Sequence, residues 1–221
     1  MDYGIFDIIG PVMIGPSSSH TAGAARLGKI AAQIAGGSFC KVEFLLYGSF
    51  AKTYRGHGTD KALVAGVMGM SPDDEHLRDS LYIAEKKGLQ VEFIEGGVGD
   101  VHPNTVRFTF FNDNGTQVTV MGSSIGGGNI SIIEIDGDSV EFSGQYPTIL
   151  VEHWDRKGMI SRISSVLADA QINIATMKVN RSSRGEAASM IIETDSHITE
   201  DIVNKLKKID EVTKVRAIQP V

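Results

Sequence analysis

In three short stretches of the sequence, a histidine stands among glycine, proline, serine or asparagine residues, which are typical of loops. The first is a run of three serines, a histidine and a threonine at positions 17–21, after a Gly-Pro pair. In the second, His57 stands between two glycines, and in the third a proline and an asparagine follow His102. Imidazole titrates near neutral pH, so converging loop histidines can transfer protons or ligate a metal ion. Their spacing matches no helix-borne His-x-x-x-His pair, which favours acid–base chemistry over a mononuclear metal site.

The serine run precedes a helix of small residues, predicted over residues 20–35 and ended by Gly36 and Gly37. Serine or threonine at such a point caps the helix, and the unpaired N–H groups there suit a carboxylate or a phosphate. One cap needs only one hydroxyl, so the surplus of polar groups favours a ligand site over ordinary capping. The candidate ligand-binding residues are Ser17, Ser18, Ser19, His20 and Thr21.

Composition narrows the class of protein. The chain has 221 residues, 42% of them hydrophobic, and a formal net charge of −6, which disfavours nucleic acid as the main partner. No apolar run approaches the roughly 20 residues of a membrane helix, and the acidic start does not resemble a signal peptide. The single cysteine, Cys40, fits a reducing cytoplasm and excludes an all-cysteine metal site built from this chain alone.

The first two-thirds of the chain alternate helices with strands. A short helical segment is predicted within residues 2–14, and a glycine-rich run occupies residues 122–129. That run does not match a dinucleotide fingerprint, because a strand rather than a helix follows it. A backbone anion nest and a plain bulge between strands both remain open for it. Strands are predicted over 41–47, 90–94, 106–111, 117–121 and 130–135, and helices over 61–68 and 72–87.

The pattern of predicted elements changes near residues 143–147, where we expect a domain boundary. The following elements have the order βαββαβ of a ferredoxin-like unit. Strands are predicted over 148–151, 172–179, 187–193 and 212–218, and helices over 159–169 and 199–209. The fold class is therefore α+β, with a mixed α/β domain over residues 1–146 and a ferredoxin-like domain over 147–221.

The sequence resembles the β part of bacterial iron–sulfur L-serine dehydratases over essentially its whole length. The resemblance is carried by the stretches Gly15–Thr21, Tyr47–Ser49, Gly56–Lys61 and His102–Asn104. The first domain is also similar to the allosteric substrate-binding domain of some phosphoglycerate dehydrogenases, and the second resembles an ACT domain. The resemblance implies conversion of L-serine to pyruvate and ammonia with a [4Fe–4S] cluster. Since one cysteine cannot hold that cluster, a separate α chain must supply its ligands.

The resemblance also implies roles for individual residues. The serine run would bind substrate where the α and β chains meet, and His57 and His102 are the catalytic candidates. Asn104 would bind or orient the substrate beside His102. Lys61 would anchor the substrate carboxylate, although an ordinary lysine on a helix surface explains it equally well.

In the second domain, the segment from Leu150 to Gly158 resembles the ligand loop of a serine-sensing ACT domain. His153 and Asp155 stand where that family has ligand-contacting histidine and asparagine, and Asn173 and Ile174 match the facing strand. Aspartate in place of asparagine suits an ammonium group better than a carboxylate. Both a sensing domain and a purely structural, dimerising domain remain open. Since ACT domains bind ligands between two copies, the resemblance also implies self-association.

Two other functions compete with an enzyme subunit. The chain could be a non-catalytic amino-acid-binding module of another serine-metabolism enzyme, or a self-contained metal-dependent enzyme. His57 and His102 beside the serine run argue against a sensor, because a sensor has no proton to move.

Overall fold

The computed structural model describes residues 12–97 and 100–221. The chain forms two compact units, one ending at Ser143 and the other spanning Gly144–Pro220. Each unit has its own sheet. The helical segment predicted within residues 2–14 lies almost entirely outside the described residues, as do Val98 and Gly99 before the His102 loop.

The first unit is built on a six-stranded sheet with the order β2-β1-β3-β4-β5-β6. Strands β1 and β2 are parallel and the other neighbours are antiparallel. The strands are β1 (Phe39–Leu46), β2 (Gln90–Glu95), β3 (Thr105–Asn112), β4 (Gln117–Gly126), β5 (Asn129–Ile135) and β6 (Asp138–Phe142). The five predicted strands are confirmed, and β6 was not predicted.

The glycine-rich run is mainly strand rather than loop. Strand β4 continues to Gly126, and β5 begins at Asn129 after a two-residue turn. The β4–β5 pairing shifts register between Met121 and Gly122 and again between Ser124 and Gly126. Of the two interpretations of this run, the bulge between strands is therefore the observed one. Alternation of apolar residues stops at Gly122, which is why the sequence pattern ended the strand too early.

The helices of the first unit follow a π-helical turn at Ser18–Gly23. They are α1 (Ala24–Ala35), α2 (Gly48–Thr53), α3 (Thr59–Val67) and α4 (Ser80–Lys86), with a 3₁₀ turn at Glu75–Asp79 before α4. The helices predicted over 20–35 and 61–68 are confirmed in type. The single helix predicted over 72–87 is wrong in its first half, which is a turn and the 3₁₀ segment, and α2 was not predicted.

Small residues let α1 and α3 pack backbone to backbone. A Cβ at Gly66 would lie 2.0 Å from the carbonyl oxygen of Ala25, and one at Gly28 would lie 2.4 Å from that of Leu63. The core beneath these helices is aromatic and aliphatic, with Phe44, Phe108 and Leu27 fully buried. Close packing of this kind fixes the start of α1, and with it the serine run.

The second unit is an antiparallel sheet with the order β10-β7-β9-β8, and its element order βαββαβ confirms the ferredoxin-like prediction. Its strands are β7 (Thr148–Trp154), β8 (Ile174–Arg181), β9 (Ala187–Thr194) and β10 (Val212–Ile218). Its helices are α5 (Met159–Asp169) and α6 (Glu200–Lys207). The core lies between helices and sheet and includes Ile149, Val151, Ile163, Leu167 and Leu206. No helix in the described parts of the chain is long and apolar enough to cross a membrane.

Candidate active site

The ring of His20 lies between two serine hydroxyls. Ser17 caps the π-helical turn, and its Oγ accepts a hydrogen bond from the His20 backbone N–H at 3.3 Å. The same Oγ lies 3.4 Å from Nδ1 of His20. On the other side of the ring, Nε2 lies 3.2 Å from Oγ of Ser49. Both ring nitrogens of His20 are therefore within hydrogen-bond reach of a side chain.

His57 approaches the same ring. The ring centroids of His20 and His57 are 4.8 Å apart with their planes at 55°, and Phe50 packs edge-on against His20 at 5.3 Å. Burial, and secondarily the neighbouring His57, lower the pKa of His20 below its usual value of 6.5. His20 is therefore neutral at neutral pH, whereas His57 is exposed to solvent.

Ser49 is placed by the turn that begins α2. Gly48 has a left-handed φ of 52°, and a Cβ there would lie 2.7 Å from the Cα of Pro103. The Ser49 backbone N–H donates to the Pro103 carbonyl at 2.7 Å, and the Tyr47 N–H donates to the Thr105 carbonyl at 3.0 Å. The His102 loop is thus tied by its backbone to the turn that presents Ser49.

The turn carrying His57 is anchored at both ends. The His57 N–H donates to the Thr53 carbonyl at 3.0 Å, and the Thr59 N–H donates to the Tyr54 carbonyl at 2.8 Å. Tyr54 is buried and stacks on Phe93 at 5.5 Å. Gly58 has a φ of 70°, a conformation that glycine adopts at little cost. The glycine after His57 therefore serves the tight turn into α3.

The loop that carries His102 lies beside the pair of rings formed by His20 and His57 but does not add its own ring to that pair. Nδ1 of the exposed His102 accepts a hydrogen bond from the Asn104 backbone N–H at 3.2 Å. The Asn104 carbonyl accepts from the Ser124 N–H at 2.9 Å. Within the part of the chain that the structure describes, the link from this loop to His20 runs through Pro103 and Ser49.

Two hydroxyls are buried beneath the serine run. Thr21 is 1% exposed, and a Cβ at Gly15 would lie 2.3 Å from its Oγ1. Ser124 is fully buried, and a Cβ at Gly23 would lie 2.0 Å from its Oγ. Neither hydroxyl has a hydrogen-bond partner among the described residues. Thr21 thus faces the interior, whereas Ser17, Ser18 and Ser19 are partly exposed.

Lys61 lies exposed in the first turn of α3. Its backbone N–H donates to the Asp60 carboxylate at 2.8 Å, and its carbonyl accepts from the Ser80 hydroxyl at 2.7 Å. Burial raises the pKa of Asp60 above its usual value of 3.8. These contacts involve the backbone of Lys61, so they leave its ammonium group at the surface.

The predicted ligand loop of the second unit is engaged in internal contacts. His153 is 3% exposed, with Nδ1 2.8 Å from the Trp154 carbonyl, and its buried Nε2 has no partner in the described chain. The Asp155 carboxylate accepts from the Gly185 N–H at 3.1 Å and from Arg181 at 3.2 Å. The Gly185 hydrogen bond, followed by Arg181, lowers the Asp155 pKa.

Asn173 and Ile174 belong to a different set of contacts. The Asn173 amide donates to the Asp195 carboxylate at 2.6 Å, and Ile174 is the first residue of β8. Hydrogen bonds therefore tie Asp155 to the β8–β9 turn and Asn173 to the segment after β9.

Comparison with known proteins identifies the family. The family model described as serine dehydratase beta chain matches residues 4–91, and the ACT domain model matches residues 148–211. The L-serine dehydratase beta chain of Peptoniphilus asaccharolyticus is 39% identical over 219 residues, covering 99% of both chains. The chain belongs to the L-serine dehydratase β-chain family. The family resemblance and the α+β fold with an ACT domain are thereby confirmed.

Two further relatives match most of the length of this family member. The probable L-serine dehydratase beta chain of Bacillus subtilis is 44% identical over 214 residues, covering 97% of each chain. The D-3-phosphoglycerate dehydrogenase of Methanocaldococcus jannaschii is 29% identical over 200 residues, which is 88% of this chain and 37% of the dehydrogenase. The match to the dehydrogenase thus covers a minority of that enzyme's length.

The residues of this β-chain family member do not fit an iron–sulfur cluster. A [4Fe–4S] cluster is held by four cysteines, and the chain has one. Cys40 is exposed near the start of β1, with Sγ 3.5 Å from the Phe111 carbonyl. Within residues 12–97 and 100–221, no group of three or more His, Cys, Asp or Glu side chains is placed to hold a metal ion.

Ser49 lies in one of the stretches that carry the family resemblance, but the sequence indicated no role for it. Apart from that resemblance, the sequence signal for Ser49 was its place after Gly48 at the end of a strand. Its contact with His20 joins residues 29 positions apart, which no local pattern encodes.

Proposed function

We propose that this chain is the β subunit of a cytoplasmic, heteromeric L-serine dehydratase that converts L-serine to pyruvate and ammonia. Support comes from family membership over nearly the whole chain. The observation that carries the proposal is the pairing of a neutral, half-buried His20 with an exposed His57 at 4.8 Å. A module that only binds an amino acid needs no such pair, whereas an elimination must move a proton.

In the proposed reaction the α-proton and the β-hydroxyl of L-serine are lost, giving water and aminoacrylate. Aminoacrylate tautomerises to an imine, and hydrolysis of the imine yields pyruvate and ammonia. His57 is the proposed acid–base group of this chain, because its ring is open to solvent and to an approaching substrate. His102 would assist from the adjoining loop.

The serine run is the proposed place for the substrate carboxylate. Ser18 and Ser19 lie in the first turn of a helix that continues to Ala35, where backbone N–H groups and the helix dipole favour an anion. Asn104 and Lys61 are proposed as additional polar contacts. Thr21 would support this turn from beneath, since it is buried.

The cluster that the family resemblance implies is assigned to a separate α chain. This chain's single cysteine cannot supply the four ligands. The active site of the proposed enzyme therefore forms only where the α and β chains meet, and the β chain alone is expected to be inactive.

The ACT unit is proposed to pair with a second copy of itself, with any amino-acid effector held between the two copies. The Asp155 carboxylate is already bound by Gly185 and Arg181. A purely structural, dimerising role is therefore as compatible with this unit as a sensing role.

The test is anaerobic serine dehydratase activity of this chain, of its α partner and of their mixture, with iron measured in each. Activity that appears only in the mixture, together with iron that stays with the α chain, is the expected result. Activity complete in the α chain alone would favour the second candidate, a regulatory amino-acid-binding module. The sequence match to a phosphoglycerate dehydrogenase over 88% of this chain is the observation behind that alternative.

A further inference from the structure

We propose that Ser49 is a positioning residue that holds His20 as the neutral Nε2–H tautomer, leaving His57 as the proton carrier of the pair. The tautomer is assigned from the two serine contacts of the His20 ring. The assignment of proton transfer to His57, with His20 held neutral, rests on the proposed function.

The Ser17 hydroxyl is placed to donate to the His20 ring. Its oxygen already accepts the His20 backbone N–H at 3.3 Å, as an N-cap does. Its own proton is then free to point at Nδ1 of His20, 3.4 Å away. In the proposed tautomer the Ser17 proton points at Nδ1, which accepts it, and the neutral imidazole carries its own proton on the other nitrogen.

Ser49 is placed on the other side of the ring to accept from it. Its Oγ lies 3.2 Å from Nε2, so it is the acceptor available to the Nε2–H. Ser49 is fixed in turn, because its backbone N–H donates to the Pro103 carbonyl at 2.7 Å and Gly48 packs against Pro103. A hydroxyl held by its backbone in this way can fix the ring orientation and tautomer of a histidine, as supporting residues do in other sites.

The surroundings of His20 disfavour its charged form. Among the described residues, the side chains that hydrogen-bond to its ring or pack ring against ring with it are Ser17, Ser49, Phe50 and His57, and of these four only His57 is ionisable. Burial and His57 both lower the pKa of His20. We therefore assign proton transfer to His57, the exposed ring.

The direct test is ¹⁵N NMR of the histidine rings in the full chain, which reads the tautomer without any catalytic assay. Signals of His20 are assigned from the spectrum of a His20→Asn variant. In the wild-type chain we expect a protonated Nε2 and an unprotonated Nδ1 that persist below pH 6.5. A wild-type ring with its proton on Nδ1, or one that charges near pH 6.5, would overturn the proposal.

Variants of Ser49 isolate its contribution. Ser49→Ala should produce a mixture of the two tautomers of His20, whereas Ser49→Thr keeps the hydroxyl and should keep the wild-type pattern. Ser38→Ala, exposed just before the opposite end of β1, is the matched control and should change nothing. Should Ser49→Ala not fold, Ser49→Cys keeps the size of the side chain with a weaker acceptor and serves the same purpose. An unchanged His20 spectrum in the variant that lacks the hydroxyl would contradict the role of Ser49.

Activity of the α–β mixture separates this inference from the proposed function. Ser49→Ala should lower kcat about tenfold with a smaller effect on KM, and Ser49→Thr should restore it. If the NMR results are as expected but the wild-type mixture does not turn over L-serine, the proposed function fails and the His20 assignment stands. If the mixture is active and Ser49→Ala leaves kcat unchanged, the division of labour between the histidines is wrong.

Discussion

At the scale of single residues, His20 and His57 show that two identical side chains differ in environment because of their positions in the fold. Their rings are 4.8 Å apart, yet one lies between serine hydroxyls and the other is exposed. An imidazole with both nitrogens engaged is constrained in tautomer, whereas an exposed one can exchange protons with a substrate. The chemistry of the proposed site therefore depends more strongly on His57.

The replacement His57→Ala tests this directly. We expect turnover of the α–β mixture to fall by about 10²–10⁴-fold, the usual contribution of a general acid or base. His76→Ala is the control, because His76 is a surface histidine that contacts Asp74. Steady-state kinetics and gel filtration of the mixture provide the measurement. Unchanged turnover in an assembled complex would remove His57 from the mechanism.

The Asp155 carboxylate offers a second test at the residue scale, read by the single tryptophan of the chain, Trp154. Asp155 has a lowered pKa because Gly185 and Arg181 bind its charged form. Its contribution to folding stability is therefore present above its usual pKa of 3.8 and is lost as pH falls through the lower, folded value. Asp155→Asn should destabilise the second unit at neutral pH, and this difference should vanish in acid.

The measurement is urea unfolding of the full chain followed by Trp154 fluorescence at several pH values. Asp210→Asn removes an exposed carboxylate of the same unit and should have little effect at any pH. A stability difference between wild type and Asp155→Asn that persists at the lowest pH would show that the carboxylate contributes through something other than its charge.

At the scale of elements, the turn between β1 and α2 sets the geometry of the site. It brings Ser49 to His20 and holds the backbone of Pro103. Gly48 permits this because it is left-handed and has no Cβ to collide with Pro103. The element that organises the site is thus a short helix with a glycine at its start.

Replacement of this glycine separates backbone strain from steric collision. Gly37 has a φ of 69° and nothing within 4 Å of the position that a Cβ would take, whereas a Cβ at Gly48 would lie 2.7 Å from Pro103. Gly37→Ala should cost about 1–2 kcal/mol of unfolding free energy from strain alone. Gly48→Ala should cost more and should also reduce turnover. Thermal unfolding and activity of both variants give the comparison, and equal effects would contradict the role assigned to the Pro103 contact.

At the scale of the whole molecule, the chain has its own candidate acid–base pair but not the cysteines of a cluster. Family membership covers nearly the whole sequence, so both units belong to the same kind of subunit. In the proposed enzyme an associated α chain would supply that cluster.

Cys40→Ser tests this assignment. Cys40 is exposed near the start of β1, whereas Ser49 follows the end of that strand. We expect the variant to leave both the iron content and the activity of the α–β mixture unchanged. Iron analysis and activity under anaerobic conditions are the measurements, and loss of iron on this single change would show that the β chain contributes a ligand.

Local patterns in the sequence determined most of the elements. The ferredoxin-like order of the second unit followed from alternation in its strands and from helical periodicity, and α5 and β10 begin and end where predicted. The same patterns missed α2, which is six residues long, and the end of β4, where glycines interrupt the alternation. Short or glycine-rich elements are stabilised by their neighbours, so their own residues carry a weak signal.

By itself, the sequence identified the three stretches that carry histidine and the two-domain α+β class. Only the tertiary structure decided that His20 meets His57 and Ser49, that Thr21 is buried, and that Asp155 is bound by the β8–β9 turn. These contacts join residues distant in the chain, and they depend on where packed helices and strands place each loop. Residue type and spacing report what a side chain can do, whereas packing decides which neighbours and how much water it has.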